Sequence, residues 1–271
     1  MGGSQSNNKS NYGNPIPDKY KTFQELEQAL RNAGIESLQC AFFFDFSKSN
    51  TWTGQNTYQG RSLHDTTFSN PYIHAMDVMA PLIPRFDDDG IIPAFRFGCM
   101  DTKDKIVTPL LFPQVQDPHF SGIDALKQAY IQICQSVVMS GPTTFAPSVE
   151  QAIQISAAYK HQQQLFVILM TDGDVSDLER DKQAFIQASN YPISFCALGF
   201  GDGPFTKMQF FDDMKGRKFD NFQFVNFTKI ECESRRTENP ELVLATAMMQ
   251  ELPDQFKQMK ALGALKNNNL Q

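Results

Sequence analysis

The chain alternates short, almost continuously apolar runs with longer segments that have the periodicity of a helix. Four apolar runs have the length of a strand and end in turn residues, at positions 38–44, 91–97, 165–170 and 193–198. Strands that are apolar throughout are buried on both faces, as in a parallel sheet covered by helices. The pattern therefore predicts an α/β, Rossmann-like fold with a central, mostly parallel sheet, and residues 222–227 form a short edge strand.

The segments between these runs predict the helices and the limits of the domain. Thr22 is an expected N-cap, with Glu25 three residues later, and Gly34 closes this first helix. We predict crossover helices at 72–82, 123–136, 148–159 and 178–188, then a C-terminal helix at 241–249 that Pro253 interrupts and that resumes toward Leu262. This gives a polar, disordered leader at 1–20, one domain at 21–235 and a helical extension at 236–271.

Polar side chains follow two of the predicted strands at the point where each strand ends. Asp45, Ser47 and Ser49 come after the first strand in a D-x-S-x-S pattern, and Asp172 follows the third. Between them, Thr143 lies where a helix begins. Because ligands of open α/β sheets bind outside the carboxyl ends of the strands, we expect these five side chains to lie close together.

The chemistry of this set suits a hard divalent cation. Mg²⁺ takes about six oxygen ligands in octahedral geometry and keeps several waters, so two carboxylates and three hydroxyls are suitable ligands. Neutral hydroxyl ligands also leave one position open for an outside group. Thr144 could replace Thr143 as the hydroxyl ligand, although the Gly-x-Thr spacing favours Thr143.

Several motifs resemble the von Willebrand factor A (vWA) domain of copines and of their plant relatives that carry a RING finger. The resemblance runs from about residue 22 to residue 265. Its motifs are DFSKSNTWTG from Asp45, NPY from Asn70, FDDDG from Phe86, FRFG from Phe95, GPTTFAP from Gly141, TDG from Thr171, YPI from Tyr191, GDGPF from Gly201, FDNFQFVNF from Phe219 and ELPDQF from Glu251.

The resemblance implies a metal-ion-dependent adhesion site (MIDAS) at Asp45, Ser47, Ser49, Thr143 and Asp172. It implies a protein-binding module that holds Mg²⁺, or Mn²⁺ or Ca²⁺, and recognises a carboxylate on a protein partner, with no catalytic turnover. The C2 domains of copines and the RING of the plant ligases have no counterpart in these 271 residues. We therefore expect any ubiquitin-ligase role to be that of a non-catalytic subunit.

Charge, cysteines and the N-terminus bear on partners and location. A net charge of −6 and the lack of a basic run argue against nucleic acid as a partner. Five scattered cysteines without zinc spacing predict reduced thiols and an intracellular, cytoplasmic protein. The start Met-Gly-Gly-Ser-Gln-Ser matches the myristoylation pattern with Gly2 as acceptor, so contact with the inner face of the plasma membrane or another membrane is expected through the acyl chain.

Three further interpretations concern residues outside this set or an alternative activity. Asp172 and Asp174 after an apolar strand also resemble the nucleophile loop of haloacid-dehalogenase (HAD) phosphatases, with Asp212 and Asp213 as acids that bind the metal. The four histidines show no ligand spacing and are expected on the surface or in loops. A few phenylalanines could form an exposed partner surface around Phe210, Phe211 and Phe219.

Overall fold

The computed structural model describes residues 20–87 and 89–266, and its centre is the predicted sheet. The strands in this part of the chain are β1 (Leu38–Asp45), β2 (Ile91–Phe97), β3 (Thr108–Pro109), β4 (His119–Ser121), β5 (Gln164–Thr171), β6 (Ile193–Gly199) and β7 (Phe222–Asn226). Their order is β3-β2-β1-β5-β6-β7, with β4 also pairing with β2. The five longer strands are parallel, and β3 and β4 run antiparallel to β2.

Helices cover both faces of the sheet. They are α1 (Phe23–Asn32), α2 (Pro71–Met79), α3 (Ile83–Phe86), α4 (Gly122–Cys134), α5 (Ala146–Ala158), α6 (Leu178–Ala188), α7 (Thr206–Asp213), α8 (Phe227–Ser234), α9 (Pro240–Met249) and α10 (Leu252–Ala261). Alternate residues of β1 enter different cores: Phe42 and Phe44 pack with α1, α2, α4 and α9, and Phe43 packs with α5, α6 and α7. The sheet is thus buried on both faces, as the continuous apolar strands predict.

Some predicted boundaries are wrong, mostly at prolines. The helix predicted at 72–82 ends at Met79, because Pro81 cannot continue it, and α3 follows as a separate turn. Pro253 does not break the last helix. It lies in the first turn of α10, where its missing N–H is tolerated, and the break is at Gln250 and Glu251. Helices α7 and α8 were not predicted, whereas the N-cap at Thr22 is present.

Two predictions concern parts of the chain that the structure does not describe. The acceptor Gly2, and the leader up to residue 19, lie outside the described residues, as do residues 267–271. The proposed division of the chain at residues 20 and 235 also stays a prediction. Among the helices at 20–87 and 89–266, none is long and apolar enough to cross a membrane.

The junction between α9 and α10 holds a carboxyl group whose ionisation is coupled to folding. Burial, with the negative charges of Asp212 and Asp220, raises the pKa of Glu251 to about 8, against the opposing effect of Arg217. In the unfolded chain this group ionises near pH 4.5. The folded state therefore holds the proton more tightly, and stability falls as the pH rises from about 4.5 to 8.

We expect the Glu251→Gln variant to be more stable than the wild type by about 1 kcal/mol or more at pH 9, because the amide stays neutral. The difference should shrink toward zero at pH 4.5, and urea unfolding at pH 4.5, 7 and 9 measures it. Glu36→Gln, at an exposed position before β1, is the control and should show no such trend. Equal pH dependence in Glu251→Gln and the wild type would contradict the assignment.

Candidate metal site at the carboxyl edge of the sheet

The order of the strands creates a crevice at the carboxyl ends of β1 and β5. These two strands are neighbours, but the chain leaves β1 toward β2 on one side and leaves β5 toward β6 on the other. Such a point is where ligands bind in open α/β sheets. All three predicted polar segments reach this crevice.

The first segment begins with Asp45, the last residue of β1, which is fully buried. Its Oδ1 accepts a hydrogen bond from the backbone N of Ser47 at 2.8 Å, and its Oδ2 accepts one from Thr171 Oγ1 at 2.7 Å. A single 3-10 turn, Lys48–Thr51, then places Ser47 Oγ 3.0 Å from Ser49 Oγ. One carboxylate and two hydroxyls therefore face the same space.

The second segment contributes Thr143, whose Oγ1 is buried and has no hydrogen-bond partner among the described residues. A Cβ atom built on Gly98, after β2, would lie 2.9 Å from Thr143 Oγ1, Asp45 Oδ1 and Ser47 N. These three atoms therefore meet at the space that Gly98 leaves free. The neighbouring Thr144 Oγ1 points elsewhere and binds Asp181, so the hydroxyl at the site belongs to Thr143.

The third segment contributes Asp172, which follows β5 and is buried. Its Oδ2 accepts a hydrogen bond from Thr53 Oγ1 at 3.2 Å, and its carboxylate also interacts with the Ser49 hydroxyl. Ser176 holds the second and third segments together, because its N and Oγ both donate to Thr143 O, at 2.8 and 2.7 Å. The five predicted side chains thus lie in one cluster.

The electrostatics of the cluster favour a cation. Burial and the nearby charge of Asp172 raise the pKa of Asp45 to about 7. Burial also raises the pKa of Asp172, although hydrogen bonds from Ser49 and Thr53 oppose the shift. Within residues 20–87 and 89–266 neither carboxylate has an ion-pair partner. A bound divalent cation would relieve the repulsion between the two carboxylates and give Thr143 Oγ1 a partner.

The donor set is mostly hydroxyl oxygen. In the described part of the chain, no group of three or more His, Cys, Asp or Glu side chains could hold a metal ion. The candidate site has only two such side chains and depends on Ser47, Ser49 and Thr143 for the remaining oxygens. This composition fits a hard cation such as Mg²⁺, which also keeps water ligands.

A buried polar network contacts the first segment at Asp45 and Ser47. The sequence did not predict a role at the site for the other residues of this network. His64 Nε2 lies 2.8 Å from Asp45 O, which can only accept, so Nε2 donates and Nδ1 accepts from Tyr130 O–H at 2.8 Å. Tyr72 O–H donates to Asn50 Oδ1 at 2.8 Å, and Asn50 Nδ2 reaches Ser47 Oγ at 3.1 Å. The network holds the backbone at Asp45 and the hydroxyl at Ser47 in place.

The histidine positions agree with the sequence interpretation in part. His64 lies in a loop, as predicted, but it is buried, and burial lowers its pKa to about 3, so it stays neutral. His74 lies within α2 and pairs with Glu231 at 2.5 Å.

The predicted phenylalanine surface is wrong in part. Of its three residues, Phe211 and Phe219 are buried and only Phe210 is exposed.

The geometry does not favour the phosphatase alternative. The Asp174 side chain is 71% exposed and binds Lys207 Nζ at 2.7 Å, so it faces solvent rather than Asp172. Asp212 Oδ1 accepts a hydrogen bond from the backbone N of Phe224, in β7. These acids therefore have other contacts, whereas Asp45 shares the crevice with Asp172.

Comparison with known proteins decides the family. The sequence model of the family described as Copine matches residues 62–268. The chain belongs to the copine family. E3 ubiquitin-protein ligase RGLG3 of Arabidopsis thaliana is 35% identical over 266 residues, which cover 93% of this copine chain and 71% of the ligase. Copine family protein 2 of Caenorhabditis elegans is 34% identical over 252 residues, which cover 92% of this chain and 3% of that protein.

The copine chain has the vWA-type α/β fold that the sequence predicts. The solved vWA domain of SpRpn10 aligns with 70% of this chain and 87% of its own, with 12% identity and a TM-score of 0.47, and a score this low carries no argument. The chain spans unequal shares of its relatives, from 3% of the worm copine to 63% of the Arabidopsis ligase RGLG4 and 71% of RGLG3. The activities of those whole proteins do not follow from a match to part of their length.

Proposed function

We propose that this copine domain is a divalent-metal-dependent protein-binding module with a MIDAS-type site. Asp45, Ser47, Ser49, Thr143 and Asp172 would hold Mg²⁺, or Mn²⁺ or Ca²⁺. One observation carries the proposal: the buried Thr143 Oγ1 lacks a partner among the described residues and meets Asp45 at the space beside Gly98. An unpaired buried hydroxyl destabilises the folded protein, and a cation bound to it would remove that penalty.

The residues that would hold the cation also suggest its use. Asp45 and Asp172 balance a divalent charge, and the three hydroxyls add oxygen ligands without adding charge. Ser47 is 4% exposed and Thr143 6% exposed, so the site lies just beneath the surface and within reach of a protruding side chain. A carboxylate on a partner protein is the ligand that such a cation prefers in its open position.

The proposal is tested first by metal binding and then by partner binding. Calorimetry with Mg²⁺ should show one site in the wild type and none in the Asp45→Ala, Ser49→Ala double variant. Asp174→Ala, at an exposed position in the loop that holds Asp172, is the matched control and should bind normally. Proteins captured from a lysate in Mg²⁺ should be released by chelator. Unchanged metal binding in the double variant would show that Asp45 and Ser49 are not metal ligands.

A second candidate is a role as non-catalytic subunit of a ubiquitin-ligase assembly. It rests on the 34–35% identity to Arabidopsis proteins named E3 ubiquitin-protein ligases. In a variant of this role, the metal only stiffens the loops and the chain acts as a scaffold. Partner binding that persists in chelator would favour the scaffold over the metal-dependent module.

The proposed setting is intracellular, in the cytoplasm or at the inner face of a membrane. It rests on the sequence pattern at Gly2 and on the free cysteines, of which Cys40, Cys99 and Cys196 are buried. A single myristoyl chain gives only weak, reversible attachment, so the protein would exchange between membrane and cytoplasm. Mass spectrometry of the N-terminal peptide from cells tests the acylation.

A further inference from the structure

Exposed apolar side chains stand beside the candidate metal site. Trp52 is 55% exposed, Met100 is 51% exposed and Val138 is 59% exposed, and all three lie in loops at the carboxyl edge of the sheet. Side chains of this kind in solvent carry a free-energy penalty that a binding partner can remove. We call these three residues the apolar rim.

Met100 and Val138 form one part of the rim, on the β2 side of the site. Met100 N donates to Val138 O at 2.9 Å, so the two residues are paired across adjacent loops. Each is close in sequence to a residue at the site. Met100 follows Gly98, and Val138 precedes Ser140, whose backbone is bridged to Ser47.

Trp52 forms the other part, toward β5 and β6. Its backbone N donates to Ser49 O at 2.9 Å, and the next residue, Thr53, donates through Oγ1 to Asp172. Thr53 O in turn accepts from Asp202 N at 2.7 Å, in the loop after β6. The proposed cation therefore has apolar side chains on both of its flanks.

We propose that the apolar rim and the metal site together bind one short segment of a partner protein, in which an Asp or Glu is bracketed by apolar side chains. This inference rests on the proposed function, because the metal takes the carboxylate. The rim then takes the apolar neighbours of that acid, one toward Trp52 and one toward Met100 and Val138. The rim selects among acidic sequences that the metal alone would accept equally.

Charge at the site itself favours a single acidic side chain on a partner segment. The exposed carboxylates in the loops around the site are already paired, Asp101 with Arg96 at 3.0 Å and Asp174 with Lys207 at 2.7 Å, so their repulsion of one carboxylate is small. An extended anionic bilayer would in addition meet the net charge of −6 of the whole chain. The exposed Lys48, between Ser47 and Ser49, adds attraction for a single carboxylate at the site itself.

The test begins with a phage-displayed library of random 12-residue peptides, selected on the full chain in Mg²⁺ and again in EDTA. Peptides enriched only in Mg²⁺ should contain Asp or Glu with an apolar residue within two positions on each side. A synthetic peptide of the enriched sequence then serves as the probe in calorimetry. Trp52→Ser and Val138→Ser should each weaken its binding about tenfold or more, with the Mg²⁺ affinity of the protein unchanged.

Val115→Ser is the matched control, because Val115 is also exposed but lies in the loop after β3. It should leave peptide binding unchanged. Trp52 is the only tryptophan of the chain, so its emission should shift to the blue when the peptide covers it, and chelator should reverse the shift.

Three results would overturn the inference, and they differ in what they leave standing. Selection of acidic peptides without apolar neighbours would show that the rim has no role in binding, and the proposal of a metal-dependent module would stand. Absence of any Mg²⁺-dependent selection, with Mg²⁺ itself unbound, would remove the module as well. Binding to phosphatidylserine vesicles that is lost in Trp52→Ser and Val138→Ser would assign the rim to a membrane instead.

Discussion

Replacing Asp45 by asparagine should weaken Mg²⁺ binding about 100-fold or more and should at the same time make the metal-free protein more stable, by about 1–2 kcal/mol. The two effects have one cause. Asp45 is fully buried beside a second carboxylate, and this raises its pKa to about 7. The charge that makes the residue a good metal ligand therefore destabilises the fold when no metal is bound.

The asparagine keeps the local hydrogen bonds of the aspartate. Its Oδ1 can accept from Ser47 N, as the carboxylate does at 2.8 Å, and its amide can donate to the Thr171 hydroxyl, which can rotate to accept. The substitution thus removes charge with little change in packing. The gain in stability comes from the lost repulsion with Asp172 and from the lower cost of burying an amide.

Thermal unfolding with and without Mg²⁺ measures both effects. The wild type should gain about 2.7 kcal/mol when Mg²⁺ is 100 times its dissociation constant, and the Asp45→Asn variant should gain about 0.4 kcal/mol or less at that concentration. Asp174→Asn is the control, since this exposed carboxylate should affect neither value. A variant that is less stable than the wild type in chelator would show that Asp45 is a structural acceptor and no charged ligand.

The strand-end residues of the site could be predicted from the sequence because of one regular feature of the fold. Parallel strands end at the same edge, so residues at the ends of two neighbouring strands meet. Asp45 is the last residue of β1, and Asp172 directly follows β5. Burial of these strands was also predictable, since nearly every position is apolar. The limits of the strands agree with the prediction to within one or two residues for the same reason.

Contacts between distant loops were not predictable in the same way. Spacing favoured Thr143 over Thr144, but the deciding contact comes from Asp181 in α6, which binds Thr144. His64 has no neighbours in sequence that suggest a role, and it gains one only because the chain brings Tyr130 and Asp45 O to its two ring nitrogens. Such contacts depend on packing between elements, which the local periodicity of the sequence does not predict.

Gly98 is the clearest residue that the sequence analysis missed. It follows β2 with a φ of +73°, a conformation that glycine adopts without strain, and it leaves the space where three polar atoms of the site converge. We expect Gly98→Ala to weaken Mg²⁺ binding at least about tenfold and to destabilise the protein by about 2–3 kcal/mol. Its Cβ would lie 2.9 Å from Asp45 Oδ1 and Thr143 Oγ1, closer than a carbon atom can pack.

Gly122→Ala separates the crowding of the site from backbone strain. Gly122 has a similar φ of +78°, but a Cβ there would meet nothing within 4 Å. This variant should therefore lose about 1–2 kcal/mol from strain alone and should bind Mg²⁺ like the wild type. Calorimetry and urea unfolding of the two variants give the comparison. Equal Mg²⁺ affinity in both would mean that the space beside Gly98 is not part of the metal site and that the unpaired Thr143 hydroxyl is not a metal ligand.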